Sequence, residues 1–163
     1  MSRTVDNGRA ASTGKRRKRR APGSFCQGAQ RCLRPVFTVV ERGDKTIRLC
    51  AFHYADDLWA RRVKERDGGC IAAAMFPSIM CNGGLQAMHL IPRGYHRTRW
   101  MLENGRGGCG AHHSWLTYRP LEHEAFCERE LGPDGYQDLR ALALTHERPD
   151  LDAVISTLEE AAA

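Results

Sequence analysis

The chain is 163 residues long, with a formal net charge of +6, 16 glycines and aromatics at 7%. That length holds one domain or two very small ones, and so few aromatics exclude a large, conventionally packed core, so staples are expected in its place. The longest apolar run, residues 71–76, is too short to cross a bilayer, and residues 1–20 lack the apolar stretch of a secretory signal.

These features predict a cytoplasmic, non-secreted chain without membrane contact, whose seven cysteines stay reduced and serve as metal ligands. Charge is unevenly spread: +7 over residues 1–20, +3 over 21–83, +4 over 84–119 and −8 over 120–163. The basic portion, rather than the whole surface, would face nucleic acid.

In chain order, residues 1–24 read as a basic arm, disordered in isolation. Its run Lys15, Arg16, Arg17, Lys18, Arg19 and Arg20 would grip phosphates or, in the plainer reading, keep the chain soluble. Residues 25–66 read as a small zinc-binding module with a linking helix. Two β-rich pieces, 36–41 and 45–49, flank Arg42-Gly43-Asp44 and predict a hairpin. A helix is expected over 54–66, starting at Asp56 and Asp57 and broken by Asp67-Gly68-Gly69. Residues 67–146 form the second domain, and 147–163 an acidic C-terminal helix. Within them, 85–90 predicts a strand, 94–108 mostly loop, and 112–118 the start of a helix. Helices over 120–131, 134–144 and 150–161 follow, separated by Gly132-Pro133 and Pro149.

Two sets of cysteine and histidine have ligand spacing. In the first, Cys26 and Cys32 are separated from Cys50 and His53 by seventeen residues, a hairpin-sized gap that would bring two tight pairs together around tetrahedral zinc. The second comprises Cys70, Cys81, Cys109 and His112, with ten residues between its first two members. The plainer reading of Cys50 and His53 is packing at a helix start. Bound zinc would contribute folding free energy on the order of 10 kcal/mol, enough to decide whether units this small fold. Cys127 is left over as a buried apolar residue.

Inside the second set lie His89, Asn104 and His113, with fourteen residues between the first pair and eight between the second. The segments Gln86-Ala87-Met88-His89-Leu90-Ile91-Pro92-Arg93, Thr98-Arg99-Trp100, Glu103-Asn104-Gly105, Cys109-Gly110-Ala111-His112-His113 and Pro120-Leu121-Glu122 together resemble an HNH endonuclease. More narrowly, they are similar to the zinc-stapled HNH proteins common in bacteriophages and prophages. The resemblance covers about residues 66–144, and residues 26–54 resemble a small zinc module often found beside such domains.

The resemblance implies an α+β fold: a small ββα-metal, treble-clef-like core stabilised by zinc, with an N-terminal zinc module and C-terminal helices. It also implies hydrolysis of DNA phosphodiester bonds with Mg²⁺ or Mn²⁺. His89 falls on the general base, Asn104 on the residue that braces the loop, and His113 on the cation-binding histidine. An imidazole titrating near neutrality suits the first role. Double-stranded DNA is the expected substrate, nicked by a monomer or cut on both strands by a homodimer. Arg93, Arg97 and Arg99 lie between the motif arms, where phosphate oxygens would pass; the plainer reading is a solvated loop.

The chain departs from the family at two places. His112 stands where the family usually has a second cysteine, which assigns it to structural zinc. Met88 stands where many members carry a second cation ligand, and a thioether binds Mg²⁺ poorly. Water, phosphate, Glu103 or His123 would have to replace it, although Glu122 and His123 read more simply as facing solvent. Trp100 and Trp115 read as small-core residues. The alternative function is a zinc-dependent DNA-binding protein on an HNH scaffold that has lost catalysis.

Overall fold

Glycines fix where the first elements turn and stop. The chain is described here by a computed structural model, which covers residues 25–28 and 32–161; the basic run Lys15 to Arg20 lies outside the described residues. Gly43, at φ 60°, closes a tight turn between β1 (Thr38–Arg42) and β2 (Lys45–Leu49). The strands pair antiparallel with Arg42 opposite Lys45 and Thr38 opposite Leu49, as the hairpin pattern predicts. Helix α1 (Ala51–Asp67) follows directly. It begins earlier than the predicted 54 because Cys50 adopts the extended conformation of an N-cap, which puts His53 in the first turn. At the other end, Gly68 takes φ 64° and its N–H donates to the Lys64 carbonyl, ending the helix where the glycines predict.

The second sheet pairs β3 (Leu85–His89) antiparallel with β4 (Gly105–Cys109), and α2 (Gly110–Thr117) continues straight from β4. Residues 105–108 were expected to be loop, and here the structure differs. Glycine is weak in strands as a rule, but these glycines let neighbours come close. A Cβ on Gly105 would sit 2.4 Å from Val63 Cγ2 and 2.7 Å from Trp59 Cζ2; one on Gly108 would sit 2.3 Å from Met88 Sδ. The glycine content is therefore a packing requirement of this strand, and the ladder Met88–Arg106 and His89–Gly105 depends on it.

Helix α3 (Pro120–Ala143) carries a kink at Gly132 (φ 72°, ψ 157°) just ahead of Pro133, so the two helical stretches read from the sequence abut end to end. The last helix, α4 (Leu151–Glu160), is capped by the Asp150 carboxylate, which accepts from the Asp152 N–H at 3.0 Å. Among the described residues, two small two-stranded sheets and four α-helices make a mixed α and β fold.

Among the described residues, apolar burial falls into three clusters. Met88, Leu90, Leu116, Phe126 and Leu139 join the β3 face to α2 and α3. On the other side Leu58, Trp59, Val63, Trp100, Ile155 and Leu158 join α1 to α4 and to the segment before β4. A small third cluster, Cys26, Leu49 and Cys50, lies beneath the first hairpin. Polar ties cross the elements: Arg106 Nε donates to Glu130 at 2.8 Å, and Arg66 donates to the carbonyls of Leu102 and Gly105 at 2.8 and 2.6 Å. Among the described residues, no helix is long and apolar enough to cross a membrane.

Candidate metal centres and a histidine-lined cleft

Both Cys₃His sets come together in space, each with its ligand atoms all within 4.8 Å of one another. In the first, the hairpin returns Cys50 to Cys26, and the opening turn of α1 delivers His53, whose Nδ1 lies 3.1 Å from Cys26 Sγ and 3.4 Å from Cys50 Sγ. In the second, Cys109 caps α2, so His112 points back across its own cap. Its Nδ1 lies 3.1 Å from Cys109, 3.5 Å from Cys70 and 3.7 Å from Cys81. A tetrahedron with metal–ligand distances typical of zinc has nitrogen–sulfur edges of about 3.6 Å. Both groups therefore have the size of a metal site.

The donor chemistry fits as well. His112 is fully buried, and its Nε2–H donates to the Phe76 carbonyl at 3.2 Å, which leaves the Nδ1 lone pair aimed at the three sulfurs. Burial raises the Cys109 thiol, but the His112 N–H, the His112 ring and the Asn82 N–H outweigh it and bring it down to about 6. Cys26 is likewise raised by burial yet lowered to about 7 by the N–H groups of Cys50 and Gly28 and by the His53 ring. Cys50 and Cys81 move the other way, raised by desolvation and by the neighbouring sulfurs. Crowded thiols that split in this way are resolved by a dication, which accepts several thiolates at once.

A cleft of about 760 Å³ runs along the free edge of β3, between α1 on one side and α2 with the start of α3 on the other. His89, His113 and His123 all line it. His89 is stacked on Trp59, with ring centroids 3.9 Å apart and planes at 18°. Its Nε2 lies 3.0 Å from the Arg99 carbonyl oxygen, which can only accept. The proton is therefore on Nε2, and Nδ1 carries a lone pair. Burial pushes His89 down to about 4, so the ring is neutral across the physiological range. His113 is held by Gln86 of β3, whose amide oxygen lies 2.7 Å from Nδ1, leaving the His113 Nε2 lone pair available. The adjacent histidines thus serve different places: His112 the sulfur cluster, His113 the cleft.

Asn104, fully buried, does not touch the cleft. Its Oδ1 accepts from the Ile91 N–H at 2.6 Å, and its Nδ2 donates to the carbonyls of Ile91 and Thr98, both at 3.0 Å. It ties both ends of the segment between β3 and β4 to one side chain.

The three arginines separate. Arg93 lines the cleft. Arg99, expected to face phosphate, lines the same cleft but is only 8% exposed and commits its guanidinium to Asp56 and to the Arg93 carbonyl. Arg97 pairs with Glu147 at 3.7 Å and lines a different cavity, beside α4. Glu103 lines that second cavity too, whereas His123, read from sequence as solvent-facing, reaches the first. Met88 is buried against Gly108 and the Leu90 cluster. Sequence reasoning takes Asp56 only as a helix start, although it lies inside α1, and does not single out Trp59, since nothing local marks a helix residue whose partner lies 43 positions away. In comparisons with family models, characterised proteins and solved structures, nothing matches this chain.

Proposed function

We propose that this chain is a metal-dependent endonuclease of the HNH type, with two structural zinc ions, that hydrolyses phosphodiester bonds of double-stranded DNA. The observation that carries the reading is the pair of histidines in one cleft, each with one ring nitrogen fixed and the other left as a lone pair. His89, neutral and oriented by the Arg99 carbonyl, takes a proton from the attacking water at Nδ1. Its burial keeps that nitrogen unprotonated at working pH.

His113 would hold a divalent cation through Nε2, with water and substrate oxygens completing its shell. Bound there, the cation supplies charge stabilisation to the phosphate and to the departing oxygen. Asp56, also on the cleft wall, serves here as the shared acceptor for Arg99 and Trp100. Arg93, on the cleft wall, would orient a phosphate, and the basic run Lys15 to Arg20 would add non-specific attraction. Two zinc ions would hold the Cys26/Cys32/Cys50/His53 and Cys70/Cys81/Cys109/His112 groups.

Nicking of supercoiled plasmid with Mg²⁺ or Mn²⁺ tests this reading. Wild type should nick, and His89→Ala should lose about 10²- to 10⁴-fold, the range of a general base. Equal, undetectable nicking by both, with DNA binding retained, would instead support a non-catalytic DNA-binding protein. That second reading is favoured by one feature: Met88 is packed into the core where a second cation ligand would otherwise stand.

A further inference from the structure

We infer that Asp56, on helix α1, is the positioning residue for His89, acting through Arg99; its place in catalysis rests on the nuclease reading above. Asp56 Oδ1 accepts from Arg99 Nε and from Trp100 Nε1, both at 2.8 Å, and Oδ2 accepts from Arg99 Nη2 at 2.8 Å. The remaining guanidinium arm donates to the Arg93 carbonyl at 2.7 Å. One carboxylate therefore clamps two consecutive side chains, and Arg99 in turn draws in the start of the same loop.

The main-chain carbonyl of Arg99 is the group that receives the His89 Nε2–H. Its position follows from where the clamp holds residue 99. With Asp56 removed, Arg99 would be a nearly buried cation without its counter-charge. That arrangement is costly enough that the side chain leaves for solvent and takes the carbonyl with it. The imidazole then loses the acceptor that selects its tautomer. Trp59, one turn further along α1, stacks on the same ring, so a single helix sets both the plane of His89 and the partner of its Nε2. Arg99 also lies over the Phe52 ring, 4.5 Å from its centroid, but Asp56 is its one acidic partner among the described contacts.

A role in stability alone would cost folding energy but leave the His89 tautomer unchanged, and this separates the two. The measurement uses the full-length, zinc-loaded chain labelled with ¹⁵N and reads His89 by long-range ¹H–¹⁵N correlation. Wild type should show the Nε2–H tautomer alone. Asp56→Ala should show a tautomer mixture, with plasmid nicking reduced on the order of 10- to 100-fold, as for other groups that orient a ligand or base from behind. Asp56→Asn keeps one oxygen toward Trp100 and should be intermediate; it decides the matter if Asp56→Ala fails to retain its zinc. An unchanged Nε2–H signal in every folded variant overturns the proposal. If wild type does not nick but Asp56→Asn shifts the tautomer, the nuclease reading fails and the positioning stands. If wild type nicks and the tautomer never moves, the reverse holds.

Discussion

Replacing Asn104 probes how the fifteen residues between His89 and Gly105 are held, and the structure gives the cost. In Asn104→Ala, three hydrogen bonds disappear from a fully buried site. The Thr98 carbonyl keeps another partner, the Met101 N–H at 3.2 Å, so the groups left without one are the N–H and carbonyl of Ile91. Two orphaned buried groups cost about 1–3 kcal/mol each, so the loss should centre near 4 kcal/mol. That is a large share of the stability of about 5–15 kcal/mol usual for a domain. Asn104→Asp is the more telling variant. It keeps the acceptor for Ile91 but points a carboxylate oxygen at two carbonyls, so it should cost at least as much at pH 7 despite conserving shape. Urea unfolding in zinc-replete buffer measures both. With a slope of roughly 2 kcal/mol per M, the midpoint should fall by about 2 M. A fall under about 0.5 M in both variants would refute the idea that this side chain braces the segment.

Other outcomes follow from the same geometry. Metal analysis should find two zinc ions per chain. Cys26→Ser and Cys109→Ser should each lose one of them, and a strong chelator should unfold the segments that carry both groups, read by circular dichroism. The nicking rate should stay level between pH 8 and 6 on account of His89. A base lowered to about 4 is already deprotonated throughout that window and is lost only as pH falls toward 4. A rate falling tenfold per pH unit from a midpoint near 6.5, the ordinary imidazole value, would show that the ring is exposed. Gly105→Ala should destabilise by about 1–3 kcal/mol, because its methyl must displace Val63 or Trp59. The same substitution at Gly69, which has open space around it, should be close to neutral in thermal denaturation.

What could be read from sequence was whatever is encoded locally. The Gly43 turn, the Gly68 stop and the kink at Gly132-Pro133 depend on residue types at short spacing, and both Cys₃His sets are marked by their residue types alone; all appear in the structure. Strand β4 escaped because Gly-Arg-Gly-Gly looks like a loop until Trp59, Val63 and Met88 are seen pressing against it. Arg99 reads as a phosphate-facing cation because it lies between the two motif arms. Its fate was set instead by Asp56, far upstream. His123 was read as solvent-facing because one turn of helix sequence does not say that the α2–α3 corner folds over the β3 edge. In each case the deciding partner is remote, and tertiary contact overrode local preference.

The close approach of α1 to Gly105 bears on how such a chain can be divided or recombined. The helix begins inside the first Cys₃His group, through His53, and two turns later provides the ring that His89 rests on. A cut ahead of residue 67 would bare Ala87, Trp100 and Leu102, and would also take away the stacking partner and the clamp of the cleft. The N-terminal segment is thus no interchangeable accessory. Any substitute grafted in its place would need an acid and an indole three residues apart on one helical face, opposite a strand that has given up its side chain at the point of contact.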